Sequence, residues 1–343
     1  MVQRRPELHK KPGVHYAFTN DGLELPLVDI THEAFALNTT PAQQRALTSA
    51  FMREQAKFAK LPDLVQRALL RVFLRGSILA DALRKSEGTF LTGLGTYLLK
   101  LPPDMLGSAY SRPVDRRIAS ALPALSVRLR LQDMAELAAG AIAPALASEP
   151  SRALWFVNIA GGPAFDSLNA LLLLNRKQRE LLEDRIIRIR VLDADDTGPN
   201  FGARALAQLS GRGAPLWGLD VRFEHQSFDW SDPAGLREAL EQAEAEHAFT
   251  LGASEGGLFE YGSDADILSI LSEFRDGASR LLGIVGSVTR DDEVIAMLKK
   301  TSKAATRPRG LPVFERLCRS VGYEISQAIE RPVCDDVLIR PQR

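Results

Sequence analysis

Residues 154–163 read Leu-Trp-Phe-Val-Asn-Ile-Ala-Gly-Gly-Pro. A mostly apolar run of six residues, closed by a glycine pair and a proline, describes a buried strand ending in a tight turn. Helix and strand patterns then alternate. Helices are expected over Leu168–Leu182, Phe201–Leu209, Ala234–Glu246 and Asp264–Arg280. Strands are expected over Ile186–Leu192, Val221–His225, Ala248–Ala253 and Leu281–Val288. Such alternation means right-handed crossovers and a parallel sheet. The tail departs from it. A helix at Phe314–Ser320 leads to extended segments at Gly322–Ile329 and Val337–Ile339, with a turn at Pro332–Asp335. Strands joined so briefly must be antiparallel. The expected fold class is α/β, a Rossmann-like sheet of parallel strands ending in an antiparallel hairpin.

Upstream of Arg152 the pattern changes. Residues 1–40 look irregular, with a short extended segment at Leu25–Ile30. Thr40-Pro41-Ala42-Gln43 is a helix start, with a capping residue, a proline at the first helical position and a capping box. Leu47, Phe51 and Phe58 continue that helix. A second follows Pro62 through Leu64, Leu69, Val72, Phe73, Leu79 and Leu83. Gly88–Gly95 interrupts, prolines 102, 103, 113 and 123 cut the next stretch, and Leu125–Leu146 reads as a helix ending near Pro144. The division is thus a helical N-terminal cap over 1–150 and a sheet domain over 151–343. The basic segment Lys299–Arg309 reads as a mobile solvated loop.

Composition narrows the function. The chain has 343 residues, with 43 Lys plus Arg against 43 Asp plus Glu. This balance gives no global pull on nucleic acid or an anionic membrane, and favours a small-molecule substrate. Two cysteines, Cys318 and Cys334, make no disulfide framework and suit a cytoplasmic setting. The five histidines show no zinc spacing, so no metal is expected. No apolar run approaches a membrane span, and the basic N-terminus lacks the apolar region of a signal peptide.

Ligands of open parallel sheets sit at the C-terminal strand ends. After the first strand, Asn158 to Ser167 holds Gly161 and Gly162, where backbone approaches a ligand closely. The pattern is not the nicotinamide fingerprint, because Pro163 and Asp166 replace its second and third glycines. After the second strand, Asp193 is placed to accept two hydrogen bonds from a ribose diol, with Asp195 and Asp196 as turn residues. After the third, Ser227, Phe228 and Asp229 offer an acceptor for an adenine amine and a ring for its face. After the fourth, Ser254, Glu255, Gly256 and Tyr261 lie where a reacting group would sit. Upstream, Arg128 and Arg130 point different ways on their helix, and one of them would pair with a ligand carboxylate.

In this order the segments resemble class I S-adenosylmethionine-dependent methyltransferases, nearest to the leucine carboxyl methyltransferase-like family, which includes O-methyltransferases of polyketide pathways. The resemblance covers about residues 125–340. It rests on Arg128-x-Arg130-x-x-Asp133, on Gly161, Gly162, Asp166 and Ser167, on Asp193, on Ser227–Trp230, and on Glu255, Gly256 and Tyr261. The chain departs from the family at Pro163, which intrudes with one extra residue, and in the Glu255–Tyr261 spacing, one residue longer. The resemblance implies S-adenosyl-L-methionine as cofactor. Arg128 would hold its methionine carboxylate, the Gly161-Gly162 backbone, with Asn158 and Ser254 nearby, would underlie methionine and ribose, Asp193 would take the ribose, and Asp229 or Ser227, beside Phe228, the adenine. Tyr261 and Glu255 are the candidate catalytic residues; Tyr97 and Tyr110 are better explained by packing. The function implied is methyl transfer to a small molecule of secondary metabolism. Two alternatives stand beside it: a cyclase or lyase that consumes the cofactor and releases methylthioadenosine, of the azetidine-2-carboxylate synthase type, and a non-catalytic relative.

Overall fold

The computed structural model describes residues 10–37, 39–62, 64–66, 77, 79–80, 92–106, 113–301 and 304–342. The expected second helix after Pro62 lies mostly outside these residues, as do Tyr110 and His9. Strands β1 (Tyr16–Phe18) and β2 (Glu24–Pro26) form a small antiparallel hairpin. It is a strand element in a region read as almost strand-free, and its three-residue arms are too short to show a period. Helix α1 (Pro41–Ala59) starts on Thr40, which accepts from the Gln43 amide while Gln43 reaches back, so the expected capping box forms. There follow α2 (Gly93–Lys100), α3 (Pro113–Ser120) and α4 (Leu122–Ser148).

Seven strands build the main sheet: β3 (Leu154–Ile159), β4 (Ile186–Leu192), β5 (Asp220–Gln226), β6 (Phe249–Ser254), β7 (Leu281–Thr289), β8 (Tyr323–Glu330) and β9 (Cys334–Pro341). Their spatial order is β5-β4-β3-β6-β7-β9-β8. The first five run parallel. β9 runs antiparallel between β7 and β8. The connecting helices are α5 (Phe165–Gln178), α6 (Thr197–Leu209), α7 (Ala234–Ala245), α8 (Leu258–Tyr261), α9 (Asp264–Gly277), α10 (Glu293–Thr301) and α11 (Gly310–Ser320). This is the expected mixed sheet. Because β3 has β4 on one side and β6 on the other, the chain reverses direction there and opens a crevice at the strand C-termini.

The period of two along β3 divides the core. Leu154 and Phe156 face one hydrophobic cluster, with Leu137, Leu171 and Leu206 of α4, α5 and α6. Trp155 and Val157 face the other, with Leu240, Phe274 and Phe314 of α7, α9 and α11. Leu25, Leu27 and Tyr97 from the N-terminal segment belong to the first cluster, so the core runs across residue 150. Helix α4 packs along α5 and reaches β7 and β9. It does not end near Pro144 but continues to Ser148 with the proline inside it. Leu146, fully buried beyond the proline, holds that last turn in place. The segment Lys299–Arg309 is a solvated loop only in part: the described residues 304–308 are irregular, but its two ends are fastened. Its start belongs to α10, and Arg309, 6 % exposed, ties Asp264 and the carbonyls of Phe259 and Gly262 together. Basic composition concealed an arginine whose partners lie about 50 residues away in sequence.

Candidate active site

A cavity of about 510 Å³ opens at the crevice, lined by the ends of β3, β4, β5 and β6 and by one side of α2. Its floor is the turn after β3. Ala160, Gly162 and Ala164 all have φ of +50°. A left-handed alanine is strained, and the Ala160 amide is held by the Leu192 carbonyl at 2.7 Å. A Cβ on Gly161 would stand 2.6 Å from the Cβ of Asn158. The turn is therefore a cradle that only glycine permits.

Asp193 closes β4 and lines the cavity. One carboxylate oxygen accepts the Gly162 amide at 2.8 Å, the other the Asp195 amide at 3.0 Å. These bonds aim the carboxylate along the turn and leave lone pairs toward the cavity, since each oxygen can accept twice. Burial pushes its pKa up, while the two amide bonds pull it down. At the end of β5, Phe228 is buried and Trp230 half-buried, both lining the cavity. Asp229 lines it too, but is exposed, and one oxygen is engaged by the amide and hydroxyl of Ser231, which lower its pKa. Ser227 is exposed and is not among the lining residues.

Beyond β6 the site becomes ionic. Glu255, buried, accepts Lys100 Nζ at 2.6 Å, with Arg130 Nε at 3.5 Å from its other oxygen. Arg130 also donates to Glu260 at 2.9 Å, and Ser287 donates to the same Glu260 oxygen at 2.7 Å. The Ser287 hydroxyl in turn accepts the Gly256 amide at 3.0 Å. Burial works against the Arg130 charge, but Glu260 and Glu255 outweigh it and raise its pKa. Gly256, at φ +65°, lies against this guanidinium, and a Cβ there would be 2.6 Å from it. Tyr261 lines the same wall.

The remaining sequence candidates lie elsewhere. Arg128 is not among the lining residues: it donates to the Ala119 carbonyl at 2.8 Å, and burial lowers its pKa to about 10. The two arginines do point apart; Arg130 does not line the cavity either, but it pairs with Glu255, which does. Ser254 caps α8 through the Leu258 amide at 2.9 Å, and Asn158 is fully buried and accepts the Ser167 hydroxyl at 3.0 Å. Tyr97 is a core residue, its ring tilted against Phe165 and Phe201 and its hydroxyl donating to the Pro26 carbonyl at 2.6 Å. The residues that sequence reasoning missed come from α2: Thr92, Gly93, Thr96 and Lys100 line the cavity. In sequence, Lys100 reads as an ordinary lysine at a helix C-terminus before two prolines. Asp166 was noted only as part of the turn. It is 1 % exposed, and burial followed by Glu255 raises its pKa to about 7, with Lys100 and the amides of Ser167 and Asp166 pulling the other way.

The residues fit a nucleoside joined to a charged chain: a glycine cradle, a carboxylate beside it, an aromatic wall, and an ionic end. No metal-holding cluster of His, Cys, Asp and Glu exists among the described residues, nor a helix long and apolar enough to cross a membrane. No family model matches the chain, and no curated protein matches it. Solved structures do. A possible exported protein from Bordetella parapertussis is 15% identical, with 89% of this chain and all of that one covered at a TM-score of 0.55. LepI in complex with SAM is 17% identical at a TM-score of 0.36, covering 57% of this chain, and the chain spans 44% of LepI. The mitomycin 7-O-methyltransferase MmcR is 14% identical at 0.39, with 94% of this chain and 78% of MmcR covered. The Bordetella structure shares the overall fold. The order of this chain's strands and the reversed strand next to β7 make it a Rossmann-like mixed α/β sheet.

Proposed function

We propose that the chain is an S-adenosylmethionine-dependent enzyme acting on a small molecule. The observation that carries this is Asp193: a half-buried carboxylate at the end of β4, fixed by the amide of the glycine cradle and lining the cavity. That geometry suits a ribose diol, and Phe228 and Trp230 beside it suit a purine face. Glu255 and Tyr261 would sit at the reacting end. Displacement at a sulfonium needs alignment and exclusion of water more than activation of a leaving group. The lining by α2 supplies a wall on the side away from the strands.

Methyl transfer is the first reading. A second, in which the cofactor is itself the substrate and is cyclised or cleaved, is kept beside it by the turn after β3, where Pro163 intrudes and lines the cavity. Thermal unfolding tests the shared part. S-adenosylhomocysteine at 100 times its Kd should stabilise the protein by about 2.7 kcal/mol, because it binds only the native state. NAD should give no shift. The reverse pattern overturns the proposal. Product analysis after incubation with S-adenosylmethionine alone then separates the readings: enzyme-dependent methylthioadenosine marks the second, and its absence, with S-adenosylhomocysteine appearing on addition of an acceptor, marks the first.

A further inference from the structure

The carboxylate and the aromatic wall of the cavity stand at the ends of neighbouring strands, and one side chain ties those ends together. β4 and β5 pair as far as Leu192 and Gln226. Past that pair the ladder thins. The Asp193 amide donates to the Gln226 carbonyl at 3.2 Å, and the Phe228 amide donates to the Asp193 carbonyl at 3.3 Å. Both are long for N–H···O bonds. β5 is also the edge of the sheet, so no further strand holds its end in register. The short bond at this place comes from a side chain: His225 Nε2 lies 2.9 Å from the same Asp193 carbonyl. A carbonyl only accepts, so Nε2 carries the proton and donates it. The oxygen has two lone pairs, and the imidazole and the Phe228 amide occupy both. His225 is half-buried and does not line the cavity. It shares a strand face with Val221 and Phe223, which pack on the first hydrophobic cluster and anchor the strand beneath it.

We propose that His225 is a positioning residue for the nucleoside: its imidazole fixes the Asp193 peptide against the end of β5, and so sets the separation between the Asp193 carboxylate and the Phe228 ring. The inference rests on the cofactor reading above and deepens it by adding a residue that touches no ligand. The Asp193 carboxylate is already held by the Gly162 and Asp195 amides. Those bonds aim its oxygens. They do not fix the main chain of Asp193 relative to β5, and His225 does. The sugar and base of a nucleoside are joined directly, so one ligand meets carboxylate and ring together only where their separation matches its own. A separation set before binding spares the ligand the cost of ordering the two strand ends.

Calorimetry with S-adenosylhomocysteine on folded variants tests this. His225→Leu removes the donor and leaves the Phe228 amide on the carbonyl. Its Kd should rise about five- to tenfold, the effect of one lost hydrogen bond. His225→Gln carries an N–H where the imidazole has Nε2–H, and its Kd should return to within about twofold of the parent's. A Leu variant that binds as tightly as the parent overturns the inference, and so does a Gln variant as weak as the Leu variant. Nitrogen-15 NMR of the unmodified chain gives an independent reading. At about pH 8, where the imidazole is neutral, His225 should be the Nε2–H tautomer, with its proton slower to exchange once S-adenosylhomocysteine is bound. The Nδ1–H tautomer overturns the inference whether or not the variants fold. Absence of any S-adenosylhomocysteine binding to the unmodified chain overturns the cofactor reading itself, whereas binding indifferent to His225 overturns this inference alone.

Discussion

Gly93, at the start of α2, and Gly162, in the turn after β3, meet backbone to backbone. A Cβ on Gly93 would stand 2.6 Å from the Gly162 α-carbon, and one on Gly162 2.7 Å from that of Gly93. Gly198 joins them, its Cβ position being 2.9 Å from the same Gly162 atom. Three elements thus converge at the cavity floor because none of the three residues has a side chain.

Gly93→Ala should therefore force α2 away from the turn. Overpacking of this kind destabilises by roughly 1–3 kcal/mol, and here backbone on both sides limits relief. Denaturant unfolding should show that loss, together with weaker S-adenosylhomocysteine binding. Gly140→Ala is the contrast: it is an exposed position inside α4 with nothing within 4 Å of the added Cβ. It should stabilise by about 0.5–1 kcal/mol. A Gly93→Ala protein as stable as the parent would mean that the close approach is unimportant.

Asp193→Ala removes the acceptor of the Gly162 amide as well as the proposed ribose partner. Affinity for S-adenosylhomocysteine should fall by about 1–3 kcal/mol, as measured by calorimetry on the folded variant. Unchanged affinity would move the ribose role to another residue. Neither arginine lines the cavity, but Arg130 pairs with Glu255, which does, so Arg130→Ala should lower affinity while Arg128→Ala leaves it within error.

Lys100→Met leaves Glu255 buried with only Arg130 at 3.5 Å. A lone buried charge costs roughly 3–5 kcal/mol, so a loss of about 2–4 kcal/mol is expected with Arg130 still in place. Adding Glu255→Gln should recover part of it, with a coupling of about 0.5–3 kcal/mol in a double-mutant cycle. Strict additivity of the two substitutions would show that the pair is not coupled.

Asp166 titrates near 7 in the folded chain against 3.8 in the unfolded one. Below about pH 4 both states hold the proton. As pH rises toward 7 the unfolded chain loses it first, so native stability declines over that window and levels off above it. Asp166→Asn cannot lose a proton and should gain stability relative to the parent between about pH 4.5 and pH 7.5 in urea unfolding. A parent–variant difference that stays constant across this range would place the Asp166 pKa near its ordinary value.

The sheet was legible because buried strands write themselves as short apolar runs. Leu154–Ile159 and Ile186–Leu192 appear with the bounds expected from sequence. The hairpin direction followed from its short connection. The glycine turn and Asp193 were readable since a strand end followed by a turn fixes where residues must lie. What escaped was long-range pairing. The Lys100–Glu255 bond spans 155 positions and the Arg130–Glu260 bond 130, and no local period encodes either. The choice between Arg128 and Arg130 was undecidable for the same reason. Lys299–Arg309 misled because basic composition says nothing of the carbonyls that Arg309 meets.

Helix α4 has a consequence for how this chain could be recombined. It lies before the division at residue 150, yet Leu131, Met134 and Leu137 share a core with the sheet strands, and Asp133 takes both arms of Arg331 from the β8–β9 turn, at 2.6 and 2.7 Å. A fragment beginning at Ser151 would uncover α5 and the parts of β7 and β9 that α4 packs on. A chimera that grafts a different N-terminal segment onto this scaffold must therefore be spliced ahead of Leu122, with the twenty-seven-residue helix inherited by the sheet half.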